Sequence, residues 1–357
     1  MSDAFDYRKH IDALYQSVPH EFGFRAESYD EFKTWQIAFR LRLREIMGLP
    51  NMETDLRDHQ PEARQADATD LGDYVREKWV LTVESDVPLL FWLLKPKEIT
   101  GNLPLVLTPH GHNRPEIYLG MAQNEQEAAA IAEGDRDIAV QAVREGYIAL
   151  LPTVRAFGET MYNPKGEPDK IQSCREELLH GLLVGRTAIG ERVWDISRLL
   201  DWAISRPDVD PTHIAITGNS GGGTISLFAA ACDERITVAV PSCYFCTFQG
   251  SIGTIEHCHC NYIPGMLRLG EMYDVAGLIA PRPFCAIAGK EDEIFPIASV
   301  RKAFGKLREI YKVAGAEDRC ELFVGEGGHR YYRQGAWPFI RKWFKVEWSE
   351  TCRNPKK

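Results

Sequence analysis

A glycine-rich turn between a predicted strand and a predicted helix constrains the fold most strongly. Residues 214–223 read Ile-Ala-Ile-Thr-Gly-Asn-Ser-Gly-Gly-Gly and run into the mostly apolar stretch Thr-Ile-Ser-Leu-Phe-Ala-Ala-Ala-Cys. Gly218 and Gly222 flank Ser220 in the spacing G-x-S-x-G, which is typical of a serine held on a strained strand-to-helix turn. Glycine is needed there because larger side chains would collide with the strand or the helix. The motif therefore predicts a serine hydroxyl presented at the carboxyl end of a sheet strand.

Phosphate binding is the main alternative for such a turn. A P-loop would need Gly-Lys followed by Ser or Thr, and a dinucleotide-binding turn would need G-x-G-x-x-G. Residues 218–223 match neither spacing. We therefore interpret Ser220 as a nucleophile.

Short apolar runs alternate with helical patterns through most of the chain. Residues 74–84 and 87–95 are predicted to form a hairpin. The later predicted strands are 103–108, 147–152, 213–217, 236–240, 283–288 and 320–324, and the predicted helices are 124–144, 191–205, 222–232, 297–314 and 336–346. This alternation predicts an α/β fold, with a mostly parallel sheet of about eight strands and helices on both faces.

Residues 1–72 are predicted to be a helical N-terminal arm and linker, and residues 73–357 the main domain. In the arm, apolar residues at Phe32, Trp35, Phe39, Leu41, Leu43 and Ile46 recur mostly at helical spacing. Gly48-Leu49-Pro50 is expected to end this helix, and residues 51–72 are expected to be a polar surface linker. In the main domain, about 156–190 and 243–280 are too long for ordinary connections and are predicted to be insertions that form the walls of a pocket.

A serine hydroxyl needs a base before it can act as a nucleophile at neutral pH. Of the ten histidines, His329 alone lies after both Ser220 and a plausible acid, and it lies in a glycine-rich loop after the last predicted strand. The acid should follow the preceding strand, where Glu291, Asp292 and Glu293 are adjacent. We favour Asp292, and both glutamates stay open as alternatives.

Negative charge that develops on a carbonyl oxygen needs preorganised backbone N–H donors. Gly221, directly after the candidate nucleophile, is one predicted donor, and His112 in Pro109-His110-Gly111-His112-Asn113 is the other. A metal site at His110 and His112 is the alternative, with zinc as the candidate ion. It is disfavoured because no third ligand lies nearby in the sequence.

Taken together, these motifs resemble the α/β-hydrolase superfamily, and more closely its acetyl xylan esterase-like and dienelactone hydrolase-like branch. The resemblance runs from about residue 75 to the end and rests on His110-Gly111-His112, Arg155, Val209-Asp210-x-x-x-Ile214, Gly289-x-x-Asp292 and Gly328-His329. It implies the α/β-hydrolase fold and a serine carboxylic-ester hydrolase that works through an acyl-enzyme without a cofactor. It also implies removal of short acyl groups, such as acetyl, from sugars or small esters.

The sequence departs from that branch at three positions. Gly221 and Arg330 stand where acetyl xylan esterases have Gln and Glu, and Ser220 stands where dienelactone hydrolases have Cys. Acetyl-sugar specificity is therefore an expectation only. Two other classes stay as alternatives, namely a prolyl-oligopeptidase-like serine peptidase and a non-catalytic metal- or ligand-binding module with a vestigial triad. The first would usually carry a large propeller, for which about 70 N-terminal residues are too few.

Side chains that could bind the substrate are harder to identify. The candidates are His110, Arg155, Tyr244 and Phe245. Instead of binding substrate, Arg155 could pair with a carboxylate such as Glu159. The two aromatic residues could instead be ordinary parts of the hydrophobic core.

Nine cysteines are scattered through the chain, which favours reduced thiols and a cytoplasmic location. Cys243, Cys246, His257, Cys258, His259 and Cys260 fall in one predicted insertion and have the composition of a zinc site. Four of them are contiguous, whereas zinc ligands are usually spaced in pairs. Buried thiols are therefore the preferred interpretation, and no metal or cofactor is predicted.

The charge balance limits the partners. With 42 basic and 51 acidic side chains the formal charge is −9, which argues against nucleic acid or an anionic membrane surface. No run of about 18 apolar residues is present, and the N-terminus does not have the pattern of a secretory signal. A small-molecule ester is the expected partner, and self-association through the N-terminal arm is left open.

Overall fold

The computed structural model describes residues 6–98, 101–167 and 170–344. The strands are β1 (Ala63–Asp70), β2 (Tyr74–Glu84), β3 (Val87–Pro96), β4 (Leu103–Leu107), β5 (Ile148–Pro152), β6 (Val209–Asn219), β7 (Val238–Ser242), β8 (Phe284–Gly289) and β9 (Cys320–Gly325). The helices are α1 (Tyr7–Ser17), α2 (Tyr29–Ile46), α3 (Leu49–Asp55), α4 (Glu125–Ala132), α5 (Ile138–Arg144), α6 (Cys174–Leu182), α7 (Ala188–Ile204), α8 (Gly221–Cys232), α9 (Met266–Leu269), α10 (Met272–Gly277), α11 (Ile297–Val313) and α12 (Arg333–Phe344).

All nine strands belong to one sheet, in the order β1-β2-β3-β5-β4-β6-β7-β8-β9. The strands β1, β2, β3 and β5 are paired antiparallel, and every pair from β5 through β9 is parallel. The predicted α/β class and mostly parallel sheet are confirmed, with one strand more than the eight expected. The parallel strands bring their carboxyl ends to one edge, where an open α/β sheet binds its ligands.

Helices cover both faces of the sheet, so the central strands are buried on both sides. Side chains alternate between the faces as strand geometry requires. Leu105 and Ile214 pack into one hydrophobic cluster with residues of α2, α7, α8 and α11, whereas Val106 and Ala215 pack into a second cluster with α5 and α12.

The N-terminal arm packs on the first of these faces. Phe32, Phe39 and Leu43 of α2 are fully buried in the same cluster as the sheet. Gln36 donates to the carbonyl oxygens of Leu278 and Ala280, which fastens α2 to the segment before β8. The helix begins at a capping box, a common start signal.

Two local predictions were wrong. Residues 51–72 are not only linker, because α3 and the edge strand β1 lie there. β1 is mostly exposed and lacks the apolar alternation that marks a strand. The predicted end of the arm helix is confirmed, since α2 ends at Ile46 and Gly48 follows with φ +85°, whereas Pro50 lies in the first turn of the next helix, α3, where its missing N–H is tolerated. The predicted helix 124–144 is two helices, α4 and α5.

Within the described ranges, no helix has both the length and the hydropathy that a bilayer crossing requires.

Candidate active site

Ser220 lies at the junction of β6 and α8, as the motif predicts. Its backbone has φ +59° and ψ −118°, a conformation that non-glycine residues rarely adopt. Its N–H donates to the carbonyl oxygen of Ser242 at the end of the neighbouring strand β7 (2.9 Å). The strained turn is therefore anchored to the sheet, and such strain is characteristic of functional sites.

The glycines around Ser220 are required by a third segment as well as by the turn itself. A Cβ at Gly218 or Gly222 would lie 2.4 or 2.1 Å from the carbonyl oxygen of Pro109, in the loop after β4. A Cβ at Gly111 of that loop would lie 2.7 Å from the carbonyl oxygen of Asn219. The loop after β4 and the serine turn thus touch backbone to backbone.

His329 and Asp292 form a hydrogen-bonded pair between the loops after β9 and β8. Nδ1 of His329 lies 2.9 Å from Oδ2 of Asp292, whose other oxygen accepts the N–H groups of Ile294 and Phe295 (2.9 and 3.1 Å). Burial alone would raise the pKa of Asp292, but these hydrogen bonds and the His329 ring outweigh it, so its pKa lies below the usual value. The carboxylate thus stays charged and holds the ring, leaving Nε2 for another partner.

Of the three candidate acids, Asp292 alone has this geometry. Its side chain is fully buried, whereas Glu291 and Glu293 are exposed. Phe295 stacks on the His329 ring with 5.8 Å between ring centroids. Gly289 is needed where β8 ends, because a Cβ there would lie 2.2 Å from the carbonyl oxygen of Gly328 in the histidine loop.

The two histidines of the loop after β4 have different surroundings. His110 is fully buried, with Nδ1 donating to the Gly111 carbonyl oxygen (2.8 Å) and Nε2 accepting the Val154 N–H (2.9 Å). Burial lowers the pKa of His110 to about 3, so its ring is neutral and serves to hold the loop. His112 instead lines the cavity beside Ser220 and Gly221.

The other candidate substrate-binding side chains lie away from this cavity. Arg155 is buried and makes a bidentate ion pair with Asp195 (2.7 and 2.8 Å) and another with Glu84. Arg155 therefore pairs with carboxylates, which was the alternative to substrate binding, but its partners are Asp195 and Glu84 and not Glu159. Tyr244 and Phe245 are also buried, against Phe295 and Phe284 respectively. The structure does not bring these three, or His110, to the cavity wall.

The cavity has a volume of about 330 Å³, and both Ser220 and His329 line it. The second insertion supplies part of its wall through residues 256–258 and Asn261, but none of the described residues of 156–190, which exclude 168 and 169, lines it. Two lining residues that the sequence interpretation missed have buried donors without a hydrogen-bond partner among the described residues, namely Asn113 Nδ2 and Arg136 Nε. The position of Asn113 beside His112 was a usable signal, whereas Arg136 comes from a distant loop.

The candidate zinc ligands of the sequence do not assemble as one group. Cys258 and Cys260 lie together, but Cys246 lies elsewhere, with its N–H on Met272 Sδ, and the Cys243 thiol donates to the Arg330 carbonyl oxygen. Instead, His112 and Cys174 join Cys258 and Cys260.

The surroundings of this second group affect its ionisation. The pKa of Cys260 is well below its usual value, because the thiols of Cys174 and Cys258 donate hydrogen bonds to its sulfur and Arg192 is close, which together outweigh burial. Nε2 of His112 lies 3.3 Å from the same sulfur.

Known proteins share this fold and part of this sequence. The acetyl xylan esterase (AXE1) family matches residues 73–262. A protein of Bacillus subtilis (strain 168) provisionally named as the hydrolase YtaP is 27% identical over 259 residues, which cover 71% of this chain and 82% of that protein.

Two solved structures are similar over most of their length. A provisionally assigned acetyl xylan esterase from Bacteroides fragilis NCTC 9343 superposes with a TM-score of 0.75 at 19% identity, covering 90% of this chain and 82% of the other. The acetyl xylan esterase from Paenibacillus sp. R4 has a TM-score of 0.58 at 18% identity, covering 90% and 98%. Both likenesses show the α/β-hydrolase fold.

The family match and the fold agree with the motifs of the sequence. The match begins with β2, passes through the loop after β4 and the serine turn, and ends in the second insertion. Since it covers more than half of the sequence, the chain belongs to the acetyl xylan esterase family and is a carboxylic-ester hydrolase of the α/β-hydrolase fold.

Proposed function

We propose that Ser220, His329 and Asp292 form the catalytic triad of this ester hydrolase. Ser220 Oγ attacks the acyl carbonyl while His329 Nε2 takes its proton, and the same nitrogen then protonates the leaving alcohol. Water, activated by His329, hydrolyses the acyl-enzyme. The observation that carries this assignment is the 2.9 Å contact between His329 and Asp292 beside a cavity that Ser220 and His329 both line.

The backbone N–H groups of His112 and Gly221 are proposed to bind the oxyanion. The N–H of Gly221 belongs to the first residue of α8, where donors are unpaired and the helix dipole favours negative charge. The close contact of Gly111 with Asn219 holds the loop of His112 against this turn. Tyr118 supports the turn from below, since its hydroxyl accepts the Asn219 N–H (3.0 Å).

The cavity supports a short acyl group on a polar alcohol. About 330 Å³ lies near the lower end of ligand pockets, which leaves little room for a long acyl chain. The unpartnered donors of Asn113 and Arg136 suit hydroxyl or ring oxygens. We therefore propose acetylated sugars and comparable small esters as substrates.

The triad is tested with Ser220→Ala and the matched control Ser205→Ala, which changes an exposed serine at the end of α7. We expect Ser220→Ala to lower kcat on p-nitrophenyl acetate by about 10⁶-fold and to abolish labelling by a fluorophosphonate, because the acyl-enzyme cannot form. Ser205→Ala should keep both. Wild-type turnover by Ser220→Ala would refute the mechanism.

The substrate proposal is tested with Asn113→Ala on an acetylated sugar and on p-nitrophenyl acetate. Loss of one hydrogen bond to the sugar should raise KM for the acetylated sugar by about 5-fold, with KM for the aryl ester changed much less. Equal changes on both esters would remove Asn113 from sugar binding.

A cytoplasmic location remains part of this proposal. The eight cysteines of the described ranges are free thiols, which supports a reducing compartment. This is tested by immunodetection of the protein in fractionated cells, and finding it outside the cytoplasm would contradict the proposed location.

A further inference from the structure

We infer that His112, Cys174, Cys258 and Cys260 bind one zinc ion in a closed site with four protein ligands. This inference goes beyond the proposed function, since it assigns a metal to a protein for which the sequence predicted none. We call these four residues the Cys3His cluster.

The cluster has the dimensions of a tetrahedral site. Its one imidazole nitrogen and three sulfurs all lie within 4.8 Å of one another. A zinc ion with Zn–S bonds of about 2.3 Å separates its sulfur ligands by about 3.8 Å, so the four atoms need to close by at most about 1 Å. The 3.3 Å between His112 Nε2 and Cys260 Sγ is already close to the corresponding nitrogen–sulfur separation.

The ligands select the metal. Three thiolates and one imidazole are soft and borderline donors, which suit zinc and not calcium or magnesium. Four protein ligands also complete the tetrahedron, so the ion would have no open position for substrate. The site is therefore structural, and the proposed chemistry at Ser220 does not run through it.

A buried cation lies next to such a site and offsets part of its charge. One zinc ion with three thiolates and a neutral imidazole carries a net charge of −1, and burying it would be costly without a cation. Arg192 provides that cation, because its Nη2 lies 3.3 Å from Cys174 Sγ. The same guanidinium is buried and pairs with Glu177 (2.6 Å), which fixes it in place.

The arrangement distinguishes these cysteines from the other buried thiols. Within the described ranges, the remaining group of candidate ligands is Cys243 with Asp292 and His329, which belongs to the proposed triad. Cys232, at the end of α8, and Cys320, at the start of β9, are also buried but belong to neither group. Burial alone therefore does not explain why three thiols and an imidazole converge.

Zinc at this place would join three distant segments of the chain. Cys174 begins α6 in the first insertion, Cys258 and Cys260 lie in the second, and His112 follows β4. The His112 ring also lies against Gly221, where a Cβ would be 3.1 Å from two of its atoms. Fixing this ring positions the loop whose backbone N–H is the proposed oxyanion donor, so zinc acts through His112 as a positioning element.

The first test measures metal in the full-length protein purified without added metal or chelator. Elemental analysis should find one zinc per chain, Cys174→Ser and Cys260→Ser should each lose most of it, and the control Cys232→Ser should keep it. Cobalt(II) added to protein stripped of metal should give thiolate-to-cobalt charge-transfer absorption in the wild type. Metal-free wild-type protein that does not bind zinc or cobalt, or protein that holds iron or copper there, would overturn the inference.

The second test separates zinc from a disulfide and from the proposed catalysis. Denatured wild-type protein should show all nine thiols by reaction with Ellman's reagent once zinc is chelated, whereas seven thiols with no metal would show a disulfide and overturn the zinc site. Ser220→Ala should keep one zinc per chain while losing esterase activity. If Ser220→Ala keeps its esterase activity and also contains zinc, the proposed triad is refuted and the proposed zinc site is supported. If a cysteine variant does not fold, the metal content of the wild type still decides.

Discussion

His329 and His112 line the same cavity as Ser220, but their rings face opposite chemical surroundings. The His329 ring binds a buried carboxylate through Nδ1, and this contact orients the ring. The His112 ring faces the sulfurs of Cys174, Cys258 and Cys260, where we propose the zinc ion. In our proposals one ring transfers a proton, whereas the other is held in place by a metal. We call the surroundings of these two rings the His329 side and the His112 side. Variants that affect one side and spare the other test this difference.

His329→Gln gives the largest expected effect. Without the imidazole no group takes the Ser220 proton, so kcat on p-nitrophenyl acetate should fall by about 10⁶-fold, as for other serine hydrolase triads. Elemental analysis of the same preparation should still find one zinc per chain. Loss of zinc together with activity would contradict the separation of the two sides.

Asp292→Asn should lower kcat less, by about 10⁴-fold, because the ring remains but its tautomer and charge are no longer supported. The matched control is Glu293→Gln, which removes an exposed carboxylate next to it and should leave kcat unchanged. A large loss in Glu293→Gln with little loss in Asp292→Asn would show that the acid has been assigned to the wrong residue.

The His329 side could largely be predicted from the sequence, and the His112 side could not. The turn at Ser220 is a local pattern, since its strand, its glycines and its helix are contiguous. In hydrolases of this fold the acid and the histidine follow later strands, so both could be sought there in the sequence. Among 291–293 spacing could not choose, and the structure separates them by burial, since Asp292 alone points inward.

The Cys3His cluster carries no such local pattern. His112 and Cys260 are 148 residues apart and meet because the second insertion folds back onto the loop after β4. The contiguous cysteines and histidines at 257–260 drew attention to a metal, but Cys258 and Cys260 alone take part. Similarly, β1 could not be predicted because it lacks the apolar alternation of a strand. Nor does the sequence around Arg155 indicate that its partner is Asp195, which lies on α7.

Gly221→Ala should disturb the contact between the two sides. Its Cβ would lie 3.1 Å from the His112 ring, so the ring or the start of α8 must shift by a few tenths of an ångström. We expect kcat to fall by about 10-fold through the displaced oxyanion donors, with one zinc retained. Gly305→Ala is the control, because nothing lies within 4 Å of its Cβ, and it should leave kcat unchanged. Unchanged kcat in Gly221→Ala would show that the position of His112 does not matter to the reaction.

The pH dependence of stability gives the smallest expected effect and isolates the His329 side. The pKa of Asp292 is lowered in the folded protein, since its hydrogen bonds outweigh burial, whereas in the unfolded chain it returns to about 3.9. A lowered folded pKa contributes stability above the unfolded value and loses it as pH falls through the folded value. The Tm difference between wild type and Asp292→Asn should therefore be a few degrees at pH 6 and shrink below about pH 4. Because both proteins keep the Cys3His cluster, protonation of its thiols affects both alike and cancels in the difference. A Tm difference that grows as the pH falls would mean that burial, rather than hydrogen bonding, dominates at Asp292 and that the carboxyl is not held charged against the His329 ring.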